Sequence, residues 1–584
     1  MAQYSNIHRP DVGFVWNITD IVLRDTFKKS EIGDVILPFV VLRRMDCILE
    51  PVNEKVRAQY LALKDKLASD KLDPALRRTS GHKFYNTSRH SLLSLLDDAK
   101  NISVNFTNYM KGFNAEVTAI FQNFQFDKVV ARLTRNNLLY RMIQEITKLD
   151  FSLGSLDNHD MGYVFEELIR IANDQSNEQA GEHFTPRDVI RLMSAILFTP
   201  DAEVLRQEGI IRTIYDPACG TGGMLNVGKR YIMEDICGDC VQKPVIVTYG
   251  QELNEQSYAI AKSEALVSGE NADNIKLGNS FTQDHFAASK FHYIMANPPY
   301  GVTWKKDLEF IIKESLNPDG RFTAGTPRSS DGQLLFVQHM ISKMNGTDSR
   351  VGVVTNGSPL FSGGAGSGES NIRKWMIESD KLECIIALPK DMFYNTGINT
   401  YLWFFTDHKS EERRGKVQLI NAVDFCQPSA KSLGNKRNDI VEKNIQDILG
   451  IYMGFKEGDC CRIIPNREFG QYELTVEQPL RDEDGNLILR NGAKQPDTGK
   501  RDTERVALDC DVKDYFAREV LPHIDPESWI DYKKVRTNYE INFTRYFYKY
   551  EPLEASESIA RRIQEQEARI GGLFRLLFTE EGQA

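Results

Sequence analysis

Residues 210–300 hold the pattern that most narrows the fold. An apolar strand (Ile210, Ile211, Ile214) breaks at Asp216-Pro217-Ala218-Cys219-Gly220-Thr221-Gly222-Gly223-Met224, and a helix is predicted from Leu225. A second strand, Pro244 to Tyr249, runs into Gly250-Gln251-Glu252-Leu253-Asn254. A third element ends in Leu277-Gly278-Asn279-Ser280-Phe281, and a fourth apolar run, Phe291 to Ala296, stops at Asn297-Pro298-Pro299-Tyr300. Strands that alternate with helices argue for a mostly parallel sheet covered on its faces, and the alternation extends over roughly residues 155 to 425.

Each strand end carries its own chemistry. Glycine at 220, 222 and 223 lets the backbone turn tightly and approach a ligand, and the helix N-terminus behind it favours a carboxylate or phosphate. Glu252, at the end of the second strand, suits ribose hydroxyls, and Asn279 suits an adenine edge. The run is not the dinucleotide fingerprint, because position 225 is Leu. Gly223 to Lys229 imitates a phosphate loop, but residue 230 is Arg where Ser or Thr would hold magnesium.

Asn297-Pro298-Pro299-Tyr300 is the most specific corner, although in isolation the string also fits a turn. The Asn297 side-chain carbonyl and the Pro298 backbone carbonyl can accept both hydrogens of a planar exocyclic amine. That concentrates electron density on a poorly nucleophilic nitrogen as it attacks. Tyr300 supplies a ring on which a base can stack.

Taken together, these residues resemble the S-adenosylmethionine-dependent amino-methyltransferases. Gly181-Glu182-His183-Phe184-Thr185-Pro186-Arg187 sharpens this, because it resembles the cofactor-binding segment of the modification subunits of type I restriction-modification systems. Asp20 to Glu50, with its Ile36 to Arg44 core, resembles their N-terminal domain. Arg350 to Asn356, Phe361, Ile372-Arg373, Ile385 to Pro389, Phe393 and Thr396 to Thr400 resemble the later parts of their catalytic domain.

The resemblance implies an α/β Rossmann-like methyltransferase domain, mostly parallel with helices on both faces. A helical N-terminal domain precedes it, and a mixed C-terminal region ending in a helix follows. It implies transfer of a methyl group from S-adenosylmethionine to the exocyclic amine of adenine in DNA, with the base flipped out of the duplex. Glu182, His183, Phe184, Thr185, Pro186 and Arg187 would line the cofactor pocket. Thr221, Gly222 and Gly223 would meet its amino-acid part, with Gly220 in the same turn, Asp216 anchoring the loop and Glu252 on the ribose. Asn279 stands where an acid is frequent in the family. Asn297, Pro298, Pro299 and Tyr300 would form the adenine site. The implied partners are double-stranded DNA, a specificity subunit flanked by two modification subunits, and a restriction subunit that joins some complexes.

Three other readings fit parts of the pattern: a protein-glutamine methyltransferase, a ribosomal-RNA guanine methyltransferase, and a catalytically silent assembly scaffold. The segment 181–187 and the long helical flanks argue against the first two. The intact Glu252 and Asn297 argue against the third. Cytosine C5 chemistry needs a nucleophilic cysteine, which the Pro-Pro corner lacks.

The net charge of −10 is wrong for a chain that binds DNA alone, since neutralising phosphates supplies much of such affinity. A partner is therefore expected to read the sequence. No apolar run approaches the ~20 residues of a membrane span, and Met1 to Ser5 lacks a signal-peptide core. Nine scattered cysteines suit a reducing, cytoplasmic setting. Cys237 and Cys240 lack the second pair a zinc site would want, so no metal is expected.

Three parts are expected: a helical domain at 1–150, a catalytic domain at 151–425 and a C-terminal region at 426–584. Leu92, Leu93, Leu95 and Leu96, then Leu138, Leu139, Met142, Ile143 and Ile146, carry helical spacing. Ser362 to Ser370 is a plain loop or a lid. Ile559, Ile563, Ile570, Leu573 and Leu577 mark an amphipathic helix near 553–578, which either packs on its own domain or, as the resemblance implies, is a partner-binding helix that joins a bundle with the specificity subunit.

Overall fold

The computed structural model describes residues 13–24, 26–28, 31–158, 160–162, 164–165, 167–168, 185–394, 396–548 and 554–579. The first of its two compact units ends at Ile541. Ile32–Leu49 is its central N-terminal helix, and only Asp34 and Arg43 escape burial along it. A helix apolar on every side must be enclosed. Helices Ile102–Lys111, Ala115–Asn123, Phe126–Arg135 and Leu139–Ile146 belong to the same helical region. Leu139, Met142, Ile143 and Ile146 form the buried stripe that their spacing predicts.

The stretch from Asp20 to Glu50 holds a π-helical turn that ends at Leu23 and the long helix that begins at Ile32. One expectation in this region needs correction. Residues 92–96 form no α-helix. Leu92 and Leu95 are buried on either side of an exposed Leu93, because a short 3-10 turn spans Ser94–Asp97.

The sheet that follows has nine strands. They are β1 (Ile211–Asp216), β2 (Val245–Glu252), β3 (Ile275–Leu277), β4 (Tyr293–Ala296), β5 (Arg350–Asn356), β6 (Leu382–Ala387), β7 (Thr400–Thr406) and β8 (Lys416–Asn421), joined after the hairpin β9 (Gln427–Leu433) and β10 (Lys436–Asp439) by β11 (Cys461–Pro465). Their order is β11-β8-β6-β7-β5-β4-β1-β2-β3. β1 is parallel to β2 and β4, β2 to β3, and β4 to β5. β7 runs antiparallel between β5 and β6. The ninth strand thus comes from residues 461–465, beyond position 425. From β1 the chain builds outward in both directions, which makes the β1/β4 boundary the switch point where open α/β sheets bind ligands.

Beyond it, β12 (Gly470–Glu477) pairs with β15 (Asp502–Ala507), β16 (Trp529–Ile530) and β17 (Arg536–Tyr539). β13 (Leu489–Arg490) and β14 (Ala493–Lys494) form a hairpin around Asn491 and Gly492, both at positive φ, as a two-residue turn prefers. Arg373, fully buried in the helix Gly368–Glu378, donates to the carbonyls of Tyr539 (2.5 Å) and Pro359 (3.0 Å). The run 362–370 is pinned rather than free. Ser367 caps that helix at Ser370 N, and Glu369 accepts from Arg328 N at 2.8 Å.

His408, just past β7, lies 3.9 Å from the carboxylate of Asp201 and 3.2 Å from that of Asp407. These two acids raise its pKa from 6.5 to about 9. A raised folded-state pKa stabilises fully below the unfolded value and is lost as pH climbs through the folded one. The urea midpoint is therefore expected to fall between pH 6.5 and about 9 more steeply for the wild type than for His408→Gln; parallel curves would remove His408 from the account.

The second unit, described by itself, contains the helices Phe543–Phe547 and Ser556–Thr579. Ile559, Ile563, Ile570, Leu573 and Phe574 are exposed along the longer one; the side chain of Leu577 is outside the described set. Among the described residues, no helix is long and apolar enough to cross a membrane.

Candidate active site

Parallel strands place successive loops at one edge of the sheet. Ile214 stands opposite Tyr293 and Tyr215 opposite Ile294, so the glycine turn after β1 and the Asn297 corner after β4 leave from neighbouring strand ends. Asp216 is buried, and its Oδ1 accepts from Ala218 N at 2.9 Å, which starts the turn. Burial pushes its carboxyl far above the usual carboxylate range. Gly220 and Gly222 have φ of 54° and 86°, a region that costs other residues Cβ strain. Gly223 begins the helix Gly223–Arg230, and Thr221 is buried between these glycines. Cys219 packs behind the turn on Gly250, where a Cβ would come within 2.8 Å of its sulfur. Burial raises its thiol pKa strongly, which disfavours a nucleophilic thiolate.

Glu252 is the last residue of β2, three residues past the predicted strand end. Its Oε2 accepts from Gly220 N, and its Oε1 from Leu253 N and Asn254 N, each at 2.8 Å. The acid and the glycine turn are thus joined directly. Asn254 caps the next helix, Glu255–Val267, through Gln256 N and Ser257 N. Asn279 lies past β3, where its Oδ1 accepts from Phe281 N at 2.9 Å and its Nδ2 donates to Asp307 at 3.1 Å. Its amide is therefore already engaged locally.

β4 is buried throughout and ends at Ala296, and Asn297 follows it directly. The Tyr300 hydroxyl donates to Asn297 Oδ1 at 2.5 Å. The Tyr300 ring is only 8% exposed and meets Phe393 edge-on, with centroids 6.5 Å apart. Burial holds the phenol well above its usual pKa, so it stays a donor. Downstream, Gly301 turns at φ 62° and Trp304 anchors the chain through its N and Nε1 to the Ser329 and Arg328 carbonyls, both at 3.0 Å.

Of the segment before the sheet, Gly181, Glu182, His183 and Phe184 lie outside the described residues. Thr185 and Pro186 are buried and lead into the helix Arg187–Phe198. Arg187 lies against Gly162, whose Cβ would stand 3.0 Å from Nη2.

Sequence reasoning missed the groups that hold these loops in place. Gln251, fully buried, donates to the Gly278 and Gln283 carbonyls and accepts from His285 N. Ser280 donates to the Pro217 carbonyl at 2.5 Å, tying the third loop to the glycine turn. Arg321 supports that loop through the carbonyls of Ser280 and Phe281. Beside β4, Gln333 bridges Asp331 and Asn356. Gln251 and Ser280 lie inside runs that the sequence marks, Gly250–Asn254 and Leu277–Phe281; Arg321 to Ser280 and Gln333 to Asn356 pair across 41 and 23 positions.

The family model described as N-6 DNA Methylase matches residues 156–485, and the one described as HsdM N-terminal domain matches residues 12–146. The type I restriction enzyme MjaVII methylase subunit of Methanocaldococcus jannaschii is 30% identical over 332 residues, covering 55% of this chain and 52% of that one. The HindI methylase subunit of Haemophilus influenzae is also 30% identical, covering 54% and 69%. The match spans about half the length of the Methanocaldococcus relatives. Among solved structures, the type I restriction-modification system methyltransferase subunit from Streptococcus thermophilus shares the fold at a TM-score of 0.60 and 20% identity, covering 78% of this chain and 95% of that one.

Proposed function

The chain belongs to the N-6 DNA methylase family, whose model matches residues 156–485 of its 584, and from that membership we propose that it methylates the exocyclic amine of adenine in DNA, as the modification subunit of a type I restriction-modification complex. The observation that carries this reading is the neighbouring exit of the glycine turn and the Asn297 corner from β1 and β4. Residues 1–150, 151–425 and 426–584 serve in it as helical, catalytic and C-terminal parts.

The residues present fit S-adenosylmethionine. Gly220 has open space where a side chain would stand, and Glu252 offers a carboxylate fixed to the same turn. Glu252 would hold the ribose hydroxyls. Thr221, Gly222 and Gly223 would hold the amino-acid part, with Asp216 bracing the loop. Thr185, Pro186 and Arg187 would close the pocket with Glu182, His183 and Phe184. Asn279 would stand at the cofactor's adenine edge. When bound, the cofactor supplies an activated methyl group and no metal is needed.

The chain's own work is alignment. Asn297 Oδ1 and the Pro298 carbonyl accept the hydrogens of the target amine, and Pro299 stiffens the corner. Tyr300 offers its ring to the base, so the surface now covering that ring must give way when the base enters. The phenol donates to the same oxygen, whose second lone pair remains for the amine. The amine's proton then passes to water.

An acidic chain reaches DNA through a partner, here a specificity subunit flanked by two copies of this chain; a restriction subunit adds cleavage. The exposed Ile559, Ile563 and Ile570 suit a shared helical bundle. Truncation after Tyr550 is expected to abolish co-purification with the specificity subunit, and unchanged co-purification would remove this role.

The test of the whole reading is calorimetric cofactor binding, followed by transfer of labelled methyl to duplex DNA by the co-expressed complex. N6-methyladenine in the product is expected. Label on protein, on RNA or on nothing refutes it.

A further inference from the structure

The hairpin β9–β10 lies between two parts of the site that are far apart in sequence. At one end, Lys436 is buried in an ion pair with Asp188, the residue that follows Arg187 in the helix Arg187–Phe198. Its ammonium donates to Asp188 Oδ2 at 2.8 Å and to the Asn438 carbonyl at 2.7 Å, and stands 3.2 Å from Asp439. Asp188 Oδ2 also accepts from Ile440 N at 2.9 Å, and its Oδ1 accepts from Val189 N at 3.0 Å. A buried cation with all its donors used is a rigid joint.

At the other end, the same hairpin grips the loop after β6. Asn435 N donates to the Tyr394 carbonyl at 2.6 Å, Arg437 N to the Asp391 carbonyl at 2.8 Å, and Asn438 Nδ2 to the Lys390 carbonyl at 2.9 Å. Gly434 turns at φ 57°, and a Cβ there would come within 2.3 Å of the Tyr394 carbonyl, so the turn fits only as glycine. Between the gripped carbonyls sits Phe393, the ring that meets Tyr300 edge-on.

We propose that β9–β10 is a strut that sets the Phe393–Tyr300 wall of the base site from the start of the Arg187–Phe198 helix, with Lys436 as its positioning residue. The inference rests on the proposed methyl transfer to adenine and adds a coupling between its two sites. Lys436 touches neither substrate nor cofactor. It acts by holding one end of a connection that runs from the cofactor segment, through Asp188 and the hairpin, to Phe393 and so to Tyr300 and Asn297. Cofactor held at one end then favours the base site at the other, which is a coupling free energy between sites.

The test uses the full complex with its specificity subunit and two duplexes of one sequence, one with the target adenine, on which kcat is read, and one with 2-aminopurine at that position. Its fluorescence reports extrusion of the base. Lys436→Met is expected to lower kcat by about 10- to 100-fold, the scale of small misplacements remote from the reacting atoms. It should also abolish the extra fluorescence that S-adenosylhomocysteine induces, with cofactor affinity kept within about threefold. Asp188→Asn, isosteric but with a single acceptor oxygen and so able to keep only one of the two backbone bonds, should do the same, and Lys436→Arg should recover most of both signals. Wild-type kcat and fluorescence response in Lys436→Met and Asp188→Asn overturn the strut. So does a parallel loss of melting temperature, cofactor affinity and kcat in both variants, which marks a residue needed only for folding. A wild-type complex that neither binds cofactor nor methylates DNA overturns the proposed function itself, and the strut with it.

Discussion

Asn297→Ala is expected to bind cofactor as the wild type does and to lose methyl transfer by about 10²- to 10³-fold in kcat, the usual effect of deleting one preorganised hydrogen-bonding group at a reacting centre. The side-chain oxygen of Asn297 is one of two acceptors at the corner, and the Pro298 carbonyl cannot replace it because its own direction is fixed by the backbone. Deletion also leaves the Tyr300 hydroxyl, now bonded to Asn297 at 2.5 Å, without that acceptor in a buried place. Part of the loss could then reflect local rearrangement, so Tyr300→Phe is the necessary control. It removes the hydroxyl that donates to Asn297 Oδ1 and keeps the ring. Its kcat should stay within about tenfold of wild type, because it removes a group that orients Asn297 rather than an acceptor of the amine's hydrogens. Single-turnover methylation with calorimetry on both variants separates the effects. Full turnover in Asn297→Ala would remove the residue from the chemistry.

The second large effect is on stability. Arg350 opens β5 with its guanidinium 3.0 Å from Glu383 and 3.2 Å from Asp201, and it also donates to the Tyr452 hydroxyl at 3.3 Å. Glu383 is 2% exposed. These partners come from β6, from the helix Glu442–Gly454 and from the turn after the helix Arg187–Phe198, so one side chain joins four segments. Arg350→Met should destabilise the chain by about 3 kcal/mol, because it removes the nearer cation from the buried Glu383 carboxylate, which keeps Arg413 at 3.8 Å and the Tyr452 hydroxyl at 2.9 Å. Most of that cost is the weaker pairing of this charge. Arg350→Met with Glu383→Gln should therefore recover much of it, as read from urea midpoints of the three proteins. A double variant as unstable as the single one would shift the cause from charge to packing.

How much of this was legible depended on whether the signal was local. Arg350 to Asn356, set apart only by the resemblance, coincides with β5. The glycine turn and the Asn297 corner were readable because each packs its chemistry into nine or fewer consecutive residues. Glu252 was read as an acid at a strand end, but not as the acceptor of Gly220 N, a partner 32 positions away. The leucines at 92–96 misled because two buried leucines three apart satisfy a 3-10 turn as well as a helix. Arg321 and Lys436 carried no usable pattern. An arginine and a lysine are ordinary surface residues until the fold encloses them, and their partners lie tens to hundreds of positions away.

The burial of Arg373 against the Tyr539 carbonyl, 166 residues downstream, has a consequence for synthesis. While the ribosome is still short of residue 539, the strands of the large sheet have all been made, yet one of its covering helices holds a cation with one of its acceptors, the Tyr539 carbonyl, still missing. The nascent protein can pair its sheet early but can seal that flank only near the end of translation. Messages cut anywhere between codons 470 and 540 should therefore yield products with most of the sheet in place and this side open to proteases.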